Sequence, residues 1–196
     1  VYRRALESNT LLAVLGPALA LGVLAGMSAT SEVLPVLAWI NAVPFGKVDP
    51  VFGLDYKFFV FELPVWQSLL SFLLAAVAFG LIASGVVHFA MGALRAGRSA
   101  TRPQLAPNAR VHLSMLIGAL LVLYGLQCLL DRFALMLTQG TLFTGVHYTD
   151  DHARIGAKLV MAVISFLVAG LFFANPIIKR TIYPAAALVL MVISGL

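Results

Sequence analysis

Apolar residues in this chain gather into long runs, and nearly all of the charge falls in the short stretches between them. Residues 11–30, 64–91, 111–130, 155–174 and 182–196 are apolar almost throughout. About 20 consecutive apolar residues in an α-helix cross the hydrocarbon core of a bilayer. The pattern therefore predicts an all-α fold, a polytopic transmembrane helix bundle of about five spans. The run 64–91 is long enough to tilt or to extend past the bilayer. Residues 33–43 (VLPVLAWINAV) are apolar but too short to span, and read as an interfacial or re-entrant piece. The chain starts at Val1 and stops inside its last apolar run, so residues 1–196 read as a single bundle segment of a longer protein.

Helix punctuation follows these limits. Pro64 suits the first turn of the second span, where a missing N–H costs little. Asn175-Pro176 is expected to end the fourth span, because a residue before proline is pushed out of the α region. Pro17, beside Gly16, predicts a kink in the first span.

Composition sharpens this picture. The chain of 196 residues is 61% hydrophobic and 11% charged, and its mean hydropathy is +0.99. Soluble domains carry about a quarter charged residues, so a water-facing exterior is excluded and a lipid-facing one implied. A cleaved signal peptide is rejected for Arg3, Arg4 and the run behind them, because that run is longer than a signal needs and further spans follow. The single cysteine, Cys128, forms no intrachain disulfide and reads as a small buried hydrophobe.

Charge then sets an orientation. Arg3, Arg4, Arg95, Arg98, Arg102, Arg110, Lys179 and Arg180 share one side with a single acid, Glu7. The other side holds Lys47, Lys57, Arg132, Arg154 and Lys158 with Glu32, Asp49, Asp55, Glu62, Asp131, Asp150 and Asp151. Short loops rich in Lys and Arg stay cytoplasmic. The expectation is an N-terminus inside, a cytoplasmic loop at 92–110, outer loops at 31–63 and 131–154, and a C-terminal end outside, in a bacterial cell membrane. The net charge of +5 is dispersed over juxtamembrane loops with no nucleic-acid motif, so no nucleic-acid partner is expected.

Association of helices in lipid relies on close packing and polar contacts. The first span carries Ala18, Gly22 and Gly26 at spacing four, and the second Ala76, Gly80, Ser84 and His88. Gly22, Gly26, Gly80 and Ser84 are the candidate helix-packing residues, for neighbours within the chain or for self-association. No Lys, Arg, Asp or Glu lies in the middle of any span; His88 and His112 sit near the cytoplasmic ends, and Lys158 near the outer start of the fourth span, where it can snorkel. Because intramembrane charges mark ion and proton paths, an ion-coupled pump built from this segment alone is disfavoured.

The outer loops are the most distinctive stretches. DPVFGLDYKFFVFELP (49–64) is dense in aromatic residues, which favour the membrane–water boundary. It reads as lying along the outer interface, with Asp49, Asp55 and Glu62 directed to water or to basic partners and Gly53 supplying a tight turn. The second loop, GVHYTDDHARIGA (145–157), holds His147, Asp150, Asp151 and His152. Imidazole and carboxylate suit zinc, yet the spacing matches no metal motif. A hydrogen-bonded loop that caps the fourth helix through Thr149, Asp150 or Asp151 is the preferred reading. No catalytic constellation and no cofactor are predicted.

These two motifs, with HLSMLIG (112–118) and LDRFALM (130–136), resemble the uncharacterised protein family UPF0182, large multipass membrane proteins best known from actinobacteria and cyanobacteria. The resemblance implies about seven N-terminal transmembrane helices followed by a large extracytoplasmic region, this chain covering roughly the third to the seventh helix. It marks Asp49, Pro50, Gly53, Asp55, Pro64, Tyr148, Thr149 and Asp150 as a structural outer-loop motif. Family members commonly have Phe-Tyr at Phe58-Phe59 and Leu-Pro-Ala-Leu at 155–158. No activity comes with the resemblance.

Three functions are in competition. The favoured one is an anchor and scaffold for an extracytoplasmic region, with the lipid bilayer and other envelope proteins or further copies as partners. The second is a transporter or channel for a lipid or other amphipathic solute, and the third an outer-face membrane enzyme using His147, Asp150, Asp151 and His152.

Overall fold

The computed structural model describes residues 29–90, 94–95, 104–137, 154–178 and 182–194, together with residues 19, 22, 23, 26 and 27. The fold is all-α. A turn of 3-10 helix, Thr30–Glu32, leads into α1 (Val33–Ile40). A turn of π-helix, Phe58–Glu62, runs into α2 (Leu63–Ala90). Then come α3 (Pro107–Ala134), α4 (Ile155–Ile178) and α5 (Ile182–Ser194). The linker after α2 contains a two-residue antiparallel ladder, β1 (Leu94–Arg95) with β2 (Gln104–Leu105), in the register Leu94 to Leu105.

Among the described residues three helical stretches are long and apolar enough to cross a membrane: Phe58–Ala90, Pro107–Leu137 and Ile155–Asn175. They make this a membrane protein. They match the second, third and fourth expected spans with shifted limits. The first expected span lies mostly outside the described residues, and the fifth is represented by α5.

Three boundaries differ from expectation, each for a local reason. The second helical stretch begins at Phe58, before Pro64. An α-helical register would press the Pro64 ring against the carbonyl of Val60; the wider π turn, in which the Leu63 N–H donates to the Phe58 carbonyl, carries the helix through. The third helix starts at Pro107, which occupies the first turn, and continues past Leu130 to Ala134 and a 3-10 turn, Leu135–Leu137. Asp131 and Arg132 thus belong to the helix. The fourth helix does not stop at Asn175-Pro176 but reaches Ile178. Proline forbids one backbone bond and disfavours the helical conformation before it without prohibiting it, and the Asn175 side chain is held by the neighbouring helix.

The chain divides into two compact units, Val1–Val65 and Trp66–Leu196. In the first, α1 packs against the π turn. Its eight residues give roughly 12 Å of helix, well short of a bilayer. It ends where Asn41 turns back, the side-chain Nδ2 donating to the Leu37 carbonyl at 2.8 Å. Leu34, Leu37 and Ile40 face outward and Leu63 and Phe59 are buried.

In the second unit the core lies on the seam between α3 and α4, with α5 against it. Ser114, Gly118, Leu121, Gly125 and Cys128 are buried along α3 at alternating spacings of four and three. Ala162, Ser165, Ala169 and Phe172 are buried along α4 in the same rhythm. That 3.5-residue repeat is the seam of two helices in knobs-into-holes contact. Leu121, Val168, Ala169, Phe172 and Met191 form its apolar centre.

Candidate functional site

The most tightly built feature of the first unit is the turn between α1 and the π turn. Asp49 begins it and Pro50 follows, the pairing favoured for the first two positions of a β-turn. The Asp49 carboxylate Oδ2 accepts from the Val51 N–H at 2.9 Å and the Phe52 N–H at 2.6 Å. The Asp49 N–H donates to the Leu54 carbonyl at 2.8 Å, and the Gly53 N–H to the Asp49 carbonyl at 2.9 Å. Gly53 has φ +66°, a conformation that glycine adopts without strain. Asp49 is 1% exposed, so it is a turn-forming carboxylate and does not face water as expected. Two backbone donors hold Oδ2, which offsets part of the cost of burying the group, while Oδ1 is buried without a partner among the described residues.

Asp55 works on the other side of the turn. Its Oδ1 accepts from the Lys57 N–H at 2.8 Å and the Phe45 N–H at 3.1 Å, and its Oδ2 from the Gly46 N–H at 2.9 Å. The Lys57 backbone bond is the main force holding this carboxyl below its usual range; the Phe45 and Gly46 bonds add to it, against a smaller desolvation effect. Gly46 also lies at positive φ, +70°. An isolated bridge joins Val48 to Asp55. Asp55 therefore gathers two strands of chain onto one carboxylate, where the expectation had it free for solvent or a partner. Glu62 pairs with Lys57 at 3.3 Å, and such a half-exposed pair contributes little.

The aromatic residues of this stretch pack on one another. Phe45 stacks on Phe61 at 5.9 Å, and Phe58 meets Phe59 edge-on at 5.3 Å. Beside them Leu34, Pro35, Ala38, Val60, Phe61 and Pro64 line an open apolar groove of about 360 Å³. Its lining side chains offer no polar group for chemistry.

In the second unit polar groups are spaced along the α3–α4 seam. Asn175 Nδ2 donates to Ser114 Oγ at 2.6 Å and Ser165 Oγ to the Leu121 carbonyl at 2.7 Å. At the far end Lys158 Nζ donates to Asp131 Oδ2 at 2.7 Å, while Gln127 Nε2 holds Oδ1 at 2.9 Å. Lys158 thus has a fixed partner and does not snorkel alone. The expectation put Asp131 at the start of an outer loop because the predicted helix stopped one residue short of it, whereas it belongs to α3.

The glycines that admit close contact are Gly118 and Gly125. A Cβ at Gly118 would meet Phe173 Cε1 at 2.8 Å, and one at Gly125 would meet Phe166 Cε1 at 2.7 Å. Gly22, Gly26 and Gly80 would each meet nothing within 4 Å, and Ser84 is half-buried. Among the described residues the close glycine contacts lie on the α3–α4 seam. The usable signal was the alternating spacing from Ser114 to Cys128. Tyr148, Thr149 and Asp150, and the metal candidates His147, Asp150, Asp151 and His152, lie outside the described residues.

Comparison with known proteins finds relatives along the whole chain. A UPF0182 protein of Saccharopolyspora erythraea is 38% identical over all of this chain and 20% of its own length. One from a Nocardioides species is 35% identical over all of this chain and 19% of its own length. One from Mycobacterium tuberculosis is 38% identical over 92% of this chain and 18% of its own length. The chain spans about a fifth of the length of these relatives. No solved structure matches it. The profile described as "Uncharacterised protein family (UPF0182)" matches residues 1–196, and with relatives of this identity over its full length the chain belongs to that family.

Proposed function

We propose that this segment is a membrane anchor and scaffold that assembles with further helices, its own copies or other envelope proteins, and carries an extracytoplasmic region. The supporting observation is α2. Only 6% of its most apolar window is buried, and Gly80 has open space around it. A long apolar helix with small residues on an uncovered face is suited to a neighbouring backbone. In the proposed orientation the arginine-rich 92–110 linker is cytoplasmic and the Asp49–Asp55 turn is extracytoplasmic. The test is purification of the full-length protein in mild detergent with mass determination. A particle larger than one chain, or a stoichiometric companion, is expected; a strictly monomeric particle without companion refutes the assembly role. Labelling of Arg98→Cys in intact cells by a membrane-impermeant thiol reagent refutes the orientation.

A second reading, a conduit for lipid or another amphipathic solute, is favoured by the groove between α1 and the π turn. Its test is release of co-purified lipid after Ala38→Trp, which fills the groove; unchanged lipid content counts against it. The outer-face enzyme reading concerns His147 to His152, and a purified protein free of stoichiometric metal, with any activity intact after Asp150→Ala, removes it.

A further inference from the structure

We propose that His88 and His112 form a two-histidine clamp for a divalent transition-metal ion at the linker end of α2 and α3. His88 Nε2 lies 3.3 Å from His112 Nδ1. The ring centroids are 5.5 Å apart and the planes meet at 77°. For a hydrogen bond this distance is long, since N–H bonds in proteins run to about 3.2 Å. For a metal it is the right bite: two nitrogens each about 2.05 Å from one tetrahedral zinc stand roughly 3.35 Å apart. Metal binding requires each ring to turn so that both lone pairs meet at a common point beside the N···N line.

The chemistry of the pair fits the same ligand. Neutral imidazole binds through either ring nitrogen and suits zinc, copper, iron and nickel ahead of magnesium or calcium. His112 is exposed and His88 half-buried, so the described residues do not close either ring off from an incoming ion. Among the described residues no set of three His, Cys, Asp or Glu side chains converges. The remaining positions fall to water or to a solute ligand, which makes the site one of moderate affinity and leaves coordination open to exchange. The β1–β2 ladder lies in the linker between the two histidines and holds its two arms together. A metal here ties α2 to the α3–α4 seam through two coordinate bonds.

The experiment uses full-length protein in detergent, free of any polyhistidine tag. Zn²⁺ is titrated in by calorimetry into the wild type and into His88→Gln and His112→Gln, which keep a hydrogen-bonding side chain at each position. One micromolar site is expected in the wild type, weakened about ten-fold or more in either variant. Absence of such a site in the wild type, or equal binding in the variants, overturns the proposal. Cu²⁺ bound to the wild type provides a readout that needs no variant: electron paramagnetic resonance is expected to show couplings from two imidazole nitrogens, and a spectrum with one or none overturns it.

Discussion

Replacing Gly125 by alanine tests the idea that the α3–α4 seam is held by backbone proximity. The new methyl would start 2.7 Å from Cε1 and 3.0 Å from Cζ of Phe166, whereas carbon atoms rest at about 3.5–4.0 Å. Phe166 or the whole of α4 must therefore retreat by roughly 1 Å. Overpacking of this kind costs about 1–3 kcal/mol, and the alanine returns up to roughly 1 kcal/mol through helix propensity. The net expectation is a loss of about 1–2 kcal/mol. If α4 moves as a unit, the Ser165 bond to the Leu121 carbonyl lengthens with it. The assay is reversible unfolding in mixed micelles titrated with denaturing detergent, run as a double-mutant cycle with Phe166→Leu. The smaller side chain frees the space, so Gly125→Ala is expected to cost less in the Phe166→Leu background. Gly170→Ala is the control, because an added methyl there meets nothing. Refutation is a Gly125→Ala transition that does not move, or a cost that Phe166→Leu leaves unchanged.

Four further outcomes follow from other parts of the structure. Asp55→Asn is expected to loosen the 45–57 turn, read as faster tryptic cleavage after Lys47 at neutral pH. Because the folded Asp55 carboxyl is held below 3.8, the stability it supplies is present above that value and is lost as pH falls through the lower folded value. The wild-type turn should therefore stay ordered at neutral pH and open only in stronger acid, as followed by chemical shifts of the Gly46 and Lys57 amides. Gly53→Ala must hold a side chain at φ +66° and is expected to cost about 1–2 kcal/mol in the same unfolding assay. Lys158→Met strands Asp131, whereas the swap Asp131→Lys with Lys158→Asp restores an ion pair; the single variant should unfold at lower detergent than the swap, and equal midpoints would show that the 2.7 Å contact contributes nothing.

Much of the architecture was legible because one strong local quantity decides it. A run of 20 apolar residues has no stable alternative to a helix in hydrocarbon, so the all-α class and the spans represented by α2, α3 and α4 could be read from single residues in order. The turn was partly legible for the same kind of reason: Asp-Pro and a following Gly are local conformational instructions, and they sit where the structure bends. What Asp49 and Asp55 bond to was not legible, since Phe45 and Gly46 reach Asp55 only once the turn has closed.

Sequence by itself thus determined the all-α transmembrane class, the approximate places of α2, α3 and α4, and the family to which the chain belongs. Tertiary structure decided the rest. It made Gly118 and Gly125 the close-contact glycines of the α3–α4 seam, joined Asp131 to Lys158, carried α4 through Asn175-Pro176, and set His88 against His112. The physical reason is that hydrophobicity is a property of each residue and sums along the chain, whereas a helix seam depends on which faces meet. In a bilayer every face is equally apolar, and only shape and a few hydrogen bonds distinguish one from another.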